Sequence, residues 1–295
     1  MDTFNFFYNK LPREYRIKLK HMFPEEFLRW HAHHKTDYYL ISYPKCGRTW
    51  LRLMMGHAIA NYFNISPTEE ILFLQWNYRT HPDLPRIKVI HEDRPMLKRP
   101  DELATTKTSF KDKAVIFLVR DPRDVIVSSY FEEKHRRALF GDNPYEKVRS
   151  KFHGELVDFI NQQSGGFDTI IAFYNIWAKN RKIPKDFLLI RYEDIHANPA
   201  GELKRILDFI GLNNIGNEEI KAAVNFASFD NMRRMEKETR FDSAILKPAE
   251  NSKLDTYKTR KGKMGGYKGY LTEEEIETLN QKMRENLSEF YGYNL

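Results

Sequence analysis

Four short apolar runs, rich in β-branched and aromatic residues, punctuate the chain at 38–43, 87–91, 114–119 and 187–192. Each has the length and residue types of a buried strand. Between them lie stretches with helical character, at roughly 49–62, 122–138, 145–162 and 169–181. Near-continuous apolar strands alternating with helices predict a parallel sheet covered on both faces. Three further helices are expected at 200–210, 218–226 and 272–290, the last opened by Thr272 and Glu275 at capping-box spacing. The expected fold class is α/β: one domain over 1–295, with a central, mainly parallel sheet flanked by helices. Within it, 1–36 reads as an N-terminal helical extension, 37–277 as the core and 278–295 as a C-terminal helix. In such sheets ligands bind at the carboxyl ends of the strands.

Composition changes this picture little. No repeat, low-complexity tract or Pro/Gly/Ser linker divides the 295 residues, and 41% hydrophobic residues suit a packed core. The longest unbroken apolar run, 114–119, is far shorter than the ~20 residues that span a bilayer, so no membrane span is expected. The opening MDTFNFFYNK lacks the basic start and apolar stretch of a secretory signal. One cysteine, Cys46, excludes an intrachain disulfide framework and points to a reducing compartment, hence the cytoplasm. The net charge of +7 suits anionic small ligands at least as well as nucleic acid, and no nucleic-acid partner is expected.

The sharpest features sit where strands end. Ser42-Tyr43-Pro44-Lys45-Cys46-Gly47-Arg48-Thr49-Trp50 leaves a strand and enters a helix through a Gly turn. Backbone amides and a helix dipole make such a turn an anion site, to which Lys45 and Arg48 add charge and Thr49 a hydroxyl. Its Lys precedes the Gly, so it is not a Walker loop. A plain turn with solvated basic residues is the alternative. Phe117-Leu118-Val119-Arg120-Asp121-Pro122-Arg123-Asp124 repeats the strand-to-helix exit, with Asp121 suited to cap and Pro122 to the first helical position. Ser128 and Ser129 follow on the second turn. A third basic stretch, Arg260-Lys261-Gly262-Lys263-Met264-Gly265-Gly266-Tyr267-Lys268, contains a glycine that lets backbone approach an anion. His91 ends the second strand and suits proton abstraction near neutral pH; Glu92 and Asp93 are rival bases. His31, His33 and His34 lack a carboxylate or Cys at ligand spacing, so they read as polar surface and no metal is expected.

From Tyr43 to about Glu277 these segments resemble the cytosolic-type sulfotransferases that use 3′-phosphoadenosine 5′-phosphosulfate (PAPS). The first stretch is similar to that family's Y-P-K-S-G-T-T-W, with Cys46 for Ser and Arg48 for Thr. The resemblance implies a P-loop-like 5′-phosphosulfate loop of Lys45, Cys46, Gly47, Arg48, Thr49 and Trp50, with Lys45 at the bridging oxygen. It assigns Arg120 and Ser128 to the 3′-phosphate, and Arg260, Lys261 and Gly262 to a loop that closes over it; Gly266-Tyr267 replaces the family's Asp-Trp. Ala227-Ser228-Phe229-Asp230-Asn231-Met232 resembles T-S-F-x-x-M, so Trp50, Phe229 and Met232 would line the adenine, with Tyr192 near the nucleotide. His91 takes the place of the base, although Lys88 precedes it by three residues where the family's K-x-H has two. Glu92 and Asp93 stay open, since a carboxylate serves in some branches.

The implied reaction moves a sulfuryl group from PAPS, without metal, to a hydroxyl or amine of a small-molecule acceptor, releasing adenosine 3′,5′-bisphosphate. Residues on the acceptor side are expected among Phe6, Tyr8, the 76–81 stretch and 130–152, with Arg79, His135 and Arg136 as polar candidates. Lys268, Thr272 and Glu277 match the family's dimer motif, with Glu273 where it has Val, so a monomer or weak homodimer is expected. Cys46, at a helix N-terminus beside Lys45, is expected to have a lowered pKa and to be shielded from alkylation by nucleotide. A small-molecule kinase and a non-catalytic nucleotide or polyanion binder are the alternatives.

Overall fold

The computed structural model describes residues 33–74, 81–136, 152–242, 244–249 and 254–293. Four parallel strands, β1 (Tyr38–Ser42), β2 (Ile87–Ile90), β3 (Ala114–Val119) and β4 (Asp186–Arg191), form one sheet in the order β2-β1-β3-β4. All six residues of β3 are buried, as a central strand covered on both faces requires. The chain runs outward from β1 to β2, then crosses back to β3 and on to β4. Strand order therefore reverses between β1 and β3, where a ligand crevice opens in α/β sheets. Ser42 pairs with Leu118, so the loops after β1 and β3 leave the sheet side by side.

Helix α1 (Arg48–Tyr62) follows β1 and buries residues on almost every side, from Leu51 to Ala60. Short α2 (Glu69–Leu72) packs on it, and Gly56 allows that approach: a Cβ there would lie 2.5 Å from the Leu72 carbonyl. Helix α3 (Pro122–His135) starts as its sequence suggests, with the Asp121 carboxylate accepting from the Arg123 amide at 2.9 Å and Pro122 in the first turn. Helices α4 (Leu156–Asn161) and α5 (Phe167–Asn180) lead to β4. Trp177 of α5 stacks on Phe117 of β3 at 5.3 Å, anchoring α5 to the sheet. Then come α6 (Tyr192–Ala197), α7 (Pro199–Phe209), α8 (Asn217–Phe226), α9 (Phe229–Lys237) and α10 (Glu273–Asn286).

Two expected helices are corrected. Of the helix expected over 145–162, residues 145–151 lie outside the described residues, and the described part is helical only over Leu156–Asn161, where the Asp158 carboxylate accepts from the Glu155 amide at 3.0 Å. The C-terminal helix stops at Asn286 rather than continuing to 290 or 295. Asn175 clamps its end, donating to the Asn286 carbonyl at 2.6 Å and accepting from the Ser288 amide at 2.9 Å. A 3₁₀ turn, Glu289–Tyr291, then carries Tyr291 into the core, where its hydroxyl donates to the Tyr174 carbonyl at 2.5 Å. Helices α2, α6 and α9 are additional to those expected. Of the N-terminal extension, only residues 33–36 are described. No helix among the described residues is long and apolar enough to cross a membrane.

Candidate active site

At the carboxyl ends of β1 and β3 lies a cavity of about 220 Å³. Its lining joins the β1 turn (Lys45, Gly47, Arg48, Thr49, Trp50), the β3 exit (Arg120, Asp124, Ser128) and the C-terminal basic loop (Lys258 to Lys263). His91, Tyr192, His196, Phe229 and Met232 complete the wall. Three segments far apart in sequence thus meet at the reversal of strand order.

The β1 turn owes its shape to left-handed backbone. Gly47 has φ +89°, and a Cβ on it would lie 2.5 Å from the Tyr192 ring, so only glycine fits. Lys45 also has a positive φ, 71°, a conformation disfavoured for a side chain of its size. Gly47 supplies no side-chain cap, which leaves first-turn amides of α1 to an anion. Lys45 Nζ lies 2.5 Å from Glu132 Oε2, while Lys258 Nζ lies 2.9 Å from Oε1 and Arg136 Nε 3.2 Å from Oε2. Burial alone would raise the Glu132 pKa; Lys258, Lys45 and Arg136 together hold it well below the usual carboxylate range. Burial depresses the Lys45 ammonium against the pull of Glu132.

Arg48 and His91 form the next pair. His91 Nδ1–H donates to the Ser42 carbonyl at 2.8 Å, which leaves Nε2 as an acceptor, and Arg48 Nη2 donates to it at 2.7 Å. Burial, and then Arg48, keep the imidazole pKa well below 6.5, so the ring is neutral at physiological pH. Arg48 Nη1 is buried with no hydrogen-bond partner among the described residues, and the same holds for Arg120 Nε. Orphaned guanidinium nitrogens in a pocket are what an anion would satisfy. Arg120 donates through Nη2 to Asp124 at 3.2 Å and to the Lys263 carbonyl at 3.0 Å, and its guanidinium lies 4.4 Å over the Tyr192 ring. Asp121 therefore caps α3 and pairs with Arg123 at 2.6 Å, leaving Arg120 to Asp124 and the pocket.

Asp124 also accepts from the amides of Gly265 at 2.9 Å and Tyr267 at 3.1 Å, pinning the C-terminal loop to α3. It is the only carboxylate among the described lining residues, and these bonds occupy both its oxygens. Gly262 has φ +60°, and a Cβ there would lie 2.5 Å from the Phe229 ring. Arg260 lies 3.9 Å over Phe131 and donates to the Tyr270 hydroxyl; Lys261 lies 4.2 Å over the same tyrosine ring. Trp50 meets Tyr192 edge-on at 5.7 Å and Phe229 is half exposed, which gives the pocket an aromatic end.

Several expectations are corrected by this geometry. Cys46 points away from the cavity into the core, with Sγ 3.3 Å from the Tyr174 hydroxyl. Burial pushes its thiol up to about 12, the opposite of the lowered pKa expected beside Lys45, so it cannot report on nucleotide by alkylation. Only its backbone remains with the loop. Glu92 accepts from buried Lys107 at 2.8 Å, and Asp93 accepts from Lys98 and from the Ala104 amide at 2.7 Å; neither lines the cavity, which leaves His91 as the one candidate base that does. Arg136 is no acceptor-side group but a buried ion partner of Glu132 and Glu236. The expected capping box at the start of α10 is present, the Thr272 hydroxyl accepting from the Glu275 amide at 3.2 Å. Of the acceptor-side candidates, His135 stacks on Phe131 and Phe152 packs edge-on against Tyr130 and Phe159. Phe6, Tyr8, Trp76 and Arg79 lie outside the described residues, as does His31; His33 bonds the Tyr39 hydroxyl at 2.5 Å and the Ser109 carbonyl at 2.8 Å.

Sequence reasoning missed Glu132, Lys258, Asp124 and His196. The helical repeat carried a signal for two of them: Asp124, Ser128 and Glu132 recur every four residues on α3 and share a face. Lys258 and His196 carried none.

Comparison with known proteins adds to this geometry. A family model described as the sulfotransferase domain matches residues 35–291. Flavonol 4'-sulfotransferase of Flaveria chlorifolia is 27% identical over 266 residues, spanning 85% of this chain and 79% of that protein. Cytosolic sulfotransferase 17 of Arabidopsis thaliana is 24% identical over 267 residues, spanning 85% of this chain and 74% of that protein. The crystal structure of mouse sulfotransferase SULT7A1 complexed with PAP shares the fold at a TM-score of 0.54 and 20% identity, covering 85% of this chain and 84% of that one.

Proposed function

Because the chain belongs to the sulfotransferase-domain family, we propose that its pocket takes PAPS as donor and sulfates a hydroxyl or amine of a small-molecule acceptor, releasing adenosine 3′,5′-bisphosphate. The observation that carries this reading is the meeting of three phosphate-type segments, after β1, after β3 and at 260–262, around buried guanidinium nitrogens that lack partners among the described residues. The residues fit a doubly anionic nucleotide. The uncapped start of α1 and the missing Cβ of Gly47 suit the 5′ end, and Arg120, Ser128, Arg260, Lys261 and the Gly262 backbone suit the 3′-phosphate. Trp50, Tyr192, Phe229 and Met232 offer apolar faces for the adenine.

In the transfer, the acceptor oxygen or nitrogen gives an electron pair to sulfur. The bond from sulfur to the bridging oxygen breaks, and its electron pair stays on the 5′-phosphate. Lys45 neutralises that developing charge. His91 takes the acceptor proton at Nε2, its only unprotonated ring nitrogen, once Arg48 turns from it toward the donor. The cytosolic-type relative and the single buried Cys46 support a cytoplasmic enzyme, acting as a monomer or weak homodimer, with Thr272 engaged in its own helix cap.

The test is bisphosphate release from PAPS across a panel of phenols, alcohols and amines. Release is expected with at least one acceptor, falling about 100-fold or more in Lys45→Ala and His91→Ala. Undiminished release in His91→Ala would remove the base from this reading.

A further inference from the structure

Two ammonium groups from opposite ends of the chain meet at one carboxylate. Lys45 Nζ is 2.5 Å from one oxygen of Glu132, and Lys258 Nζ is 2.9 Å from the other. Both lysines line the cavity. Lys258 is held firmly from behind: its amide donates to Glu236 Oε1 at 2.5 Å, while the Thr259 amide and hydroxyl donate to Oε2 at 2.9 and 2.7 Å. Glu236 is fully buried, and Arg136 ties it at 3.2 Å to the network that also reaches Glu132. Lys88, the lysine nearest His91 in sequence, instead packs 5.9 Å over Tyr39 and does not line the cavity.

We propose that Lys258 is a second catalytic cation, contacting the transferred sulfuryl group together with Lys45, and that Glu132 is the positioning residue that holds both ammoniums at one point. The inference rests on the sulfuryl-transfer reading. The two oxygens of a carboxylate and two oxygens of a sulfuryl group are similarly spaced, so a pair of ammoniums gathered by Glu132 suits the second anion as well. As the acceptor atom bonds sulfur and gives its proton to His91, Lys45 faces the bridging oxygen, which keeps the electron pair of the broken bond. Lys258 faces the non-bridging oxygens. Such donors count when they are fixed before the charge develops.

The experiment compares wild type, Lys258→Met, Lys258→Arg and Glu132→Gln. Turnover is read as bisphosphate release from PAPS with 2-naphthol or water as acceptor, and binding as the Kd for adenosine 3′,5′-bisphosphate, which lacks the sulfuryl group. Lys258→Met is expected to lower kcat about 100- to 1,000-fold while bisphosphate Kd stays within about threefold. Lys258→Arg should restore about tenfold of that loss, because charge is kept and geometry is not. Glu132→Gln should lower kcat about tenfold with bisphosphate binding unchanged or tighter, since a competing anion is gone. A merely structural role would weaken both. Unchanged kcat in Lys258→Met, or a Kd that worsens as much as kcat falls, would overturn the proposal. Should Lys258→Met fail to fold, the kcat-against-Kd split in Lys258→Arg and Glu132→Gln decides. A wild type that binds the bisphosphate and transfers to no acceptor of the phenol, alcohol and amine panel would instead overturn the sulfotransferase reading, and with it this one.

Discussion

The β1 turn and the C-terminal basic loop bring the same chemistry to one pocket by different means. The β1 turn is local: a strand, a left-handed Gly47 against Tyr192 and a helix N-terminus set it within a few residues. The C-terminal loop has little regular structure of its own. Distant carboxylates hold it: Glu236 grips Lys258 and Thr259, and Asp124 grips Gly265 and Tyr267. The same cations are thus placed in one case by backbone conformation and in the other by buried charge. Substitutions should separate accordingly, with the tethers of the loop registering first in stability.

The largest expected effect is at the loop's tether. Glu236→Ala leaves the Lys258 and Thr259 amides without their acceptor and takes one of two carboxylates from buried Arg136, and should cost about 3–5 kcal/mol in urea unfolding. A loss below about 1 kcal/mol would mean that the loop is not held by this carboxylate. Next comes Arg120, which bridges the two regions through the carbonyls of Lys45 and Lys263. Arg120→Ala should weaken adenosine 3′,5′-bisphosphate binding by about 1.5–3 kcal/mol in calorimetry, with a smaller effect on unfolding.

A smaller effect is one of pH. The folded pKa of His91 lies below its unfolded value near 6.5, so the unfolded chain binds more protons in between. The stability His91 confers is therefore complete above about pH 6.5 and is lost as pH falls below it, by up to about 1.4 kcal/mol per pH unit. Urea midpoints between pH 7.5 and 5.5 measure this, and His91→Gln should flatten the fall. The smallest effect belongs to Cys46: the native protein should remain unlabelled by iodoacetamide at pH 8, with or without nucleotide. Rapid native labelling would contradict its burial against Tyr174.

The comparison also explains what could be read from the chain. The four strands were legible because each is a short apolar run, and β3 matches its expected bounds from Ala114 to Val119. The β1 turn was legible because its glycine, lysine and helix start are contiguous. Cys46 misled, since proximity to Lys45 in sequence says nothing of side-chain direction, and the thiol is buried against Tyr174 of α5. Arg136 misled likewise: a cation just past the end of α3 looks solvent-facing until Glu236, a hundred residues on, is found against it. The carboxylates that organise the loop act across separations of 22 to 143 residues, and no local pattern announces them.

The central claim is that these two regions together form a site for a nucleotide bearing both a 3′- and a 5′-phosphate. A thermal-shift titration without magnesium, comparing adenosine 3′,5′-bisphosphate with adenosine 5′-monophosphate and ATP, tests it most directly. The account predicts saturable stabilisation by the bisphosphate, exceeding that of the other two by about 2–3 kcal/mol at concentrations well above its Kd. Equal shifts for all three, or a shift with ATP alone that requires magnesium, would contradict it.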